Sequence, residues 1–180
     1  MRGRSGTRAR RESGGRALLA TAALAVGFAA ADNYVVLLAL PDMMGGVGLS
    51  TEDLHRAAPI LSGFMLGYIG VLPLIGRVSD LRGRRPVLIG SLVVFGLGSL
   101  LTATSYDLTT LVAGRVAQGV GAGGLLPATL ALVADTYPPR KRGVPLGVVG
   151  GVQELGNVAG PVYGAAVLAL SGWRTIFWIN

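Results

Sequence analysis

Apolar residues fall in five long stretches, roughly 17–41, 57–75, 87–104, 108–133 and 144–170. A sixth apolar run, 175–180, begins at the end of the sequence. Short polar segments separate them. A helix rises 1.5 Å per residue, so about 20 residues cross a hydrocarbon core of about 30 Å. The stretches reach or approach that length. The pattern predicts an all-α membrane protein, a helical bundle of five complete spans plus the start of a sixth, behind a basic leader at residues 1–16. The connecting segments carry helix signals. Ser50-Thr51-Glu52-Asp53 reads as a capping box before the second span. Pro86 suits the first turn of the third span. Pro138-Pro139 breaks the chain after the fourth.

Composition agrees with a lipid environment. Charged residues are 14% of the 180, against about 25% in soluble proteins, and 29 residues are glycine. There is no cysteine and a single histidine, His55. Disulfides, thiolate zinc sites and a histidine metal centre are thereby excluded. No metal, cofactor or catalytic constellation is expected, and the chain does not read as an enzyme.

The net charge of +7 would fit nucleic acid or anionic lipid. The placement of the charges selects lipid. Of 16 Lys and Arg residues, 13 lie in the leader, in loop two (76–86) and in loop four (135–143). Arg56 and Arg174 lie in the alternate loops, and Arg115 lies within the fourth span. This alternation is the positive-inside pattern. It predicts a multi-pass protein of the plasma (inner) membrane with a cytoplasmic N-terminus and no nucleic-acid partner. The leader and the first apolar run resemble a signal peptide, but the run through Leu40 is too long for one.

Several polar residues sit where they are costly. Arg115, mid-helix, carries an insertion cost of about 2.5–3.5 kcal/mol and calls for a polar partner. Asp32 lies nine residues before Pro41 and Arg115 seven after Leu108. At 1.5 Å per residue they are about 13 and 10 Å from the outer surface. Opposite charges at similar depth are expected to face each other across the inner cavity. The other possibility is that Asp32 bonds only to Asn33 or backbone. Glu154, set in apolar sequence beside Gln153 and near Asn157, either exchanges protons or makes a structural hydrogen bond. Asp32, Asn33, Arg115, Gln118 and Glu154 form the candidate proton and substrate pathway.

Loop two reads Gly76-Arg77-Val78-Ser79-Asp80-Leu81-Arg82-Gly83-Arg84-Arg85-Pro86. An acid among four arginines makes a cluster that can break and reform as helices move. Gly76 and Gly83 allow close backbone approach. In the fourth span, Gly119 and Gly123 give a small face for helix packing. The same stretch satisfies Gly119-x-Gly121-x-x-Gly124, a dinucleotide fingerprint, but no strand precedes it and apolar helix surrounds it. The fifth span carries Gly147, Gly156, Gly160-Pro161 and Gly164. Three of these glycines are spaced by four, and Pro161 permits a kink.

These motifs together resemble the major facilitator superfamily. Loop two matches its signature of Gly, Asp, Gly and paired basic residues between spans two and three. Arg115 followed by Gln118-Gly119 resembles its fourth-span signature. The fifth-span spacing is similar to that of its drug–proton antiporters, with Ala165 where a second glycine is usual. Asp32 with Ala39-Leu40-Pro41, and Trp173-Arg174 through Asn180, resemble the fourteen-span multidrug exporter branch. The resemblance implies a secondary transporter of two six-helix bundles working by alternating access. It implies Gly76, Asp80, Arg82, Gly83, Arg84 and Arg85 as a conformational switch loop. The expected partners are the lipid bilayer, protons, a small-molecule substrate of amphipathic or drug-like chemistry, and a missing C-terminal bundle. A membrane fragment without transport activity and a major facilitator uptake carrier remain as alternatives.

Overall fold

The computed structural model describes residues 4–180, with side chains from residue 17 onward apart from that of Thr51. The side chains of the basic leader lie outside the described residues. The chain forms six α-helices: α1 (Arg4–Gly46), α2 (Leu54–Arg82), α3 (Arg84–Ala103), α4 (Leu108–Thr136), α5 (Gly143–Ser171) and α6 (Trp173–Ile179). Two short 3-10 turns, Thr51–Asp53 and Pro139–Lys141, sit in the connections. No strand occurs among the described residues. The fold is an all-α bundle. Four helices are each long and apolar enough to cross a membrane; α5 meets that test of length and composition only together with α6, to which it is bent by 119° at Gly172, so the spans number four, or five if that bent pair is one.

The connections are built from local hydrogen bonds. Ser50 donates both its backbone N–H and its hydroxyl to the Asp53 carboxylate. Those bonds, the hydroxyl first, hold the Asp53 carboxyl below its ordinary value. Asp107 caps α4 by accepting from the Thr110 N–H at 2.8 Å and its hydroxyl at 2.7 Å. The same two bonds lower the Asp107 carboxyl from its usual range. At the opposite end, Arg142 closes α4 by donating to the carbonyls of Tyr137 and Ala134.

Two helix boundaries differ from the sequence expectation. α1 continues through Pro41 to Gly46. A proline forfeits only its own N–H bond, and burial of Met43 and Met44 against Leu49, Trp173 and Phe177 supports the added turn. α2 likewise runs through Gly76 to Arg82, so loop two contracts to Gly83. Gly83 has φ of +85°, a conformation open to glycine and poor for other residues. A Cβ on Gly76 would meet nothing within 4 Å, and one on Gly83 only Pro86 Cδ at 4.0 Å, so the expected close approach is absent at both and Gly83 serves through its backbone conformation.

α4 is the central helix, packing along α2 on one side and α3 on the other, while α1 packs along α5. Lipid tails are as apolar as leucine, so close van der Waals contact must hold helices together. Glycine provides it. A Cβ at Gly119 would overlap the carbonyl of Phe64, and one at Gly123 would meet the Tyr68 carbonyl at 2.6 Å. Gly121 and Gly124 instead face Phe95 and Ser91 of α3. The glycines of the apparent dinucleotide fingerprint are therefore divided between two helix–helix seams. On α5, Gly156, Gly160 and Gly164 pack in step against Gly27, Ala31 and Val35 of α1. Pro161 lies beside them inside α5. Gly147 was expected to pack as well, yet nothing lies within 4 Å of where its Cβ would be. Gly147 is exposed, and in this part of α5 it is Val149 that is buried, with Ala23 of α1 and Val133 of α4.

These seams predict unequal glycine sensitivities. Gly119→Ala should lower unfolding stability in detergent by about 1–3 kcal/mol, because backbone must move. Gly147→Ala should leave it unchanged or slightly raised, since alanine favours helix. Equal losses at the two positions would contradict the packing described.

Candidate functional site

The middle of the bundle contains one fully buried cation. Arg115 projects from α4 with no exposure, next to Asp32 of α1, which is also buried. Arg115 Nη1 donates to Asp32 Oδ2 at 2.6 Å and to Gln118 Oε1 at 2.9 Å. Its Nε donates to the Ile60 carbonyl of α2 at 3.4 Å. The guanidinium carbon lies 4.5 Å from the centroid of the Phe64 ring. A charge in apolar surroundings is tolerable only when paired and hydrogen-bonded. Here α1 supplies the counter-charge, α2 a carbonyl and an aromatic face, and α4 itself an amide one turn along.

A second layer orients the first. Gln118 Nε2 donates to Ser99 Oγ of α3 at 2.7 Å, which turns Oε1 toward Arg115. Thr102 donates to the Gly98 carbonyl at 2.9 Å. α3 approaches this closely because Gly98 and Gly114 face one another; a side chain on either would strike backbone of the other helix. Asp32 receives a second bond, 2.5 Å from Asn180 Nδ2 to Oδ1. Both carboxylate oxygens are thus occupied. Arg115 Nη2 and the Tyr163 hydroxyl are buried with no protein hydrogen-bond partner.

Beside the pair is a cavity of about 150 Å³ between α1, α2, α4 and α5. Its walls are mostly apolar, including Val26, Ala29, Phe64 and Leu125, with Asn33, Gln153 and Asn157 as polar points. Asn33 faces it, whereas Asp32 sits behind the wall. Phe64 belongs to both places, lining the cavity and covering Arg115.

The structure brings together Asp32, Arg115 and Gln118, and puts Asn33 close by at the cavity. It separates Glu154 from them. Glu154 is exposed on α5, accepting from Asn157 Nδ2 at 3.2 Å. The expectation of burial came from its apolar neighbours in sequence, but helical geometry turns it away from the face that packs on α1. Ser99, Asn180, Gly98 and Gly114 went unnoticed in the sequence. Only the small residues of α3 at helical spacing could have suggested the last of these contacts.

The Asp80 cluster forms a separate site at the far end of α2. Arg84 Nη1 donates to Asp80 at 2.6 Å and Ser79 at 3.0 Å, while Nε donates to Asp135 of α4 at 3.3 Å. One arginine at the head of α3 thereby ties the ends of α2 and α4. Arg82 and Arg85 have no acidic partner among the described residues. At the opposite end, Arg174 donates to the Ser105 carbonyl at 2.8 Å and lies over Trp173.

Residues 22–180 match the family described as the Major Facilitator Superfamily. The chain is 49% identical over 158 residues to a triacylglyceride transporter of Mycobacteroides abscessus, covering 87% of this chain and 31% of that protein. It is 48% identical to one of Mycolicibacterium hassiacum, over 96% of this chain and 32% of the relative. It is 45% identical to one of Mycobacterium tuberculosis, over 93% and 33%. The chain spans about a third of the length of the curated relatives it matches.

The geometry predicts a strong coupling between Asp32 and Arg115. Asp32→Asn or Arg115→Gln alone should cost about 3–5 kcal/mol of unfolding stability, because each strands a buried partner. The double variant should lose less than the sum of the two. A thermodynamic cycle from unfolding in detergent measures this, and additive losses would contradict the buried pair.

Proposed function

The chain belongs to the major facilitator superfamily, and we propose that it forms the first helical bundle of a proton-coupled secondary transporter for an amphipathic, lipid-like molecule. The observation that carries this reading is the buried Asp32–Arg115 pair. A structural ion pair gains little over well-packed apolar residues. A pair that must open and close has a reason to stay ionic. A proton reaching Asp32 removes the attraction that holds α1 to α4, and its release restores it. That converts proton movement into helix movement, the requirement for alternating access.

The cavity supports the substrate class. Its apolar walls suit acyl or other hydrocarbon groups, and the carboxamides of Asn33, Gln153 and Asn157 suit uncharged ester or hydroxyl oxygens. The triacylglyceride transporter names of the relatives agree with this chemistry. The fifth-span pattern Gly156–Gly160–Pro161–Gly164 favours a second reading, export of drug-like amphipaths through the same cavity. In either case the substrate path requires a second bundle to close it. Glu154 faces away from this bundle and is available to such a partner. The Asp80–Arg84–Asp135 cluster serves as a latch at the rim that must break when α2 and α4 separate.

In the transporter containing this bundle, Asp32→Asn should abolish the pH dependence of transport. Asp80→Asn should slow turnover severalfold while leaving substrate binding near wild type. Vesicle transport assays across a pH gradient check both. Unchanged pH dependence in Asp32→Asn would overturn the proton role, and lost binding in Asp80→Asn would overturn the latch.

The orientation follows from the charge distribution: leader and loops two and four in the cytoplasm of a cell whose inner membrane holds the protein. Reporter fusions near Arg82 and Arg140 should read inside, and those near Glu52 and Asp107 outside. An outside signal at Arg140 would contradict it.

A further inference from the structure

Between α2 and α3 runs a second groove of about 250 Å³, floored by Val120 on a different face of α4 from the cavity beside Asn33. Val71, Ile75 and Val78 of α2 form one wall, Val87 and Val94 of α3 the other. It ends at Arg82, which lines it beside Pro86. From Val71 to Arg82 is eleven helical residues, about 16 Å. That is roughly half of a 30 Å hydrocarbon core, the depth of one leaflet.

The charge at its mouth is available. Arg84, in the same turn, is engaged by Asp80 and Asp135. Arg82 and Arg85 are exposed, with no acidic partner among the described residues. We propose that this groove holds one acyl chain of an anionic phospholipid, with the headgroup phosphate on Arg82 and the neighbouring Arg85. The lipid is a bound component beside the latch, distinct from any transported molecule in the cavity.

The test is native mass spectrometry of the purified chain in detergent, titrated with phosphatidylglycerol or phosphatidylcholine of identical acyl chains. Phosphatidylglycerol should be retained at least about fivefold more strongly, the effect of one arginine near an anionic headgroup. Arg82→Gln should remove most of that preference and leave phosphatidylcholine binding unchanged. Arg140→Gln, in loop four, should keep the preference. Gly90 lines the groove with open space around it. Gly90→Leu should therefore fill the groove and reduce retention of both lipids severalfold, with an unchanged thermal midpoint. Equal retention of the two lipids by the wild type would overturn the proposal. So would an undiminished preference in Arg82→Gln, an equal loss in Arg140→Gln, or dimers in place of lipid adducts. Wild-type lipid retention by a folded Gly90→Leu chain would overturn the groove as the acyl site.

Discussion

Arg115 has no exposure and carries a full charge in the middle of an apolar bundle. Removing an ion from water costs several kcal/mol after relaxation, and the bundle is arranged to offset that cost. Four helices contribute. α1 gives Asp32, α2 gives the Ile60 carbonyl and the Phe64 ring, α4 gives Gln118, and α3 gives Ser99 to hold Gln118 in place. Guanidinium suits this task because it is planar and permanently charged, with donors fanning toward several partners at once.

The glycines follow from the same constraint. For side chains as short as Asp32 and Ser99 to reach the centre, helix axes must come close. Gly98 against Gly114 brings in α3, Gly119 and Gly123 bring in α2, and Gly156 through Gly164 bring α5 onto α1. The packing seams and the ion pair are one design, since the close helix approach is what brings the partners of Arg115 within reach. The Arg84 cluster at the end of α2 has the opposite character: Asp80 and Asp135 are exposed and Arg84 half-buried, so solvent screens the pairs and they add little to stability.

Much of this was legible in the sequence. Long apolar runs give the helices directly, because the bilayer fixes their length. Asp32 and Arg115 could be paired from depth alone, since each span has a known rise and alternate spans run in opposite directions. Glycines spaced by four on α4 and α5 announced seams. What escaped depends on rotation about a helix axis and on contacts between distant segments. Glu154 looks buried in the sequence, yet α5 packs with its glycine face and leaves Glu154 outside. Asn180 reaches Asp32 across 148 positions, which no local pattern encodes. Gly76 and Pro41 look like helix ends, but helices in apolar surroundings keep their backbone bonds wherever they can, and both are continued through.

In the proposed transport cycle Asp32 takes up a proton and thereby releases Arg115. Infrared difference spectroscopy of the membrane-embedded protein across a pH titration observes that event directly. Acidification should produce the carbonyl stretch of a protonated carboxylic acid, and the band should be absent in Asp32→Asn. A spectrum in which no such band appears, or in which it persists unchanged in Asp32→Asn, would contradict it.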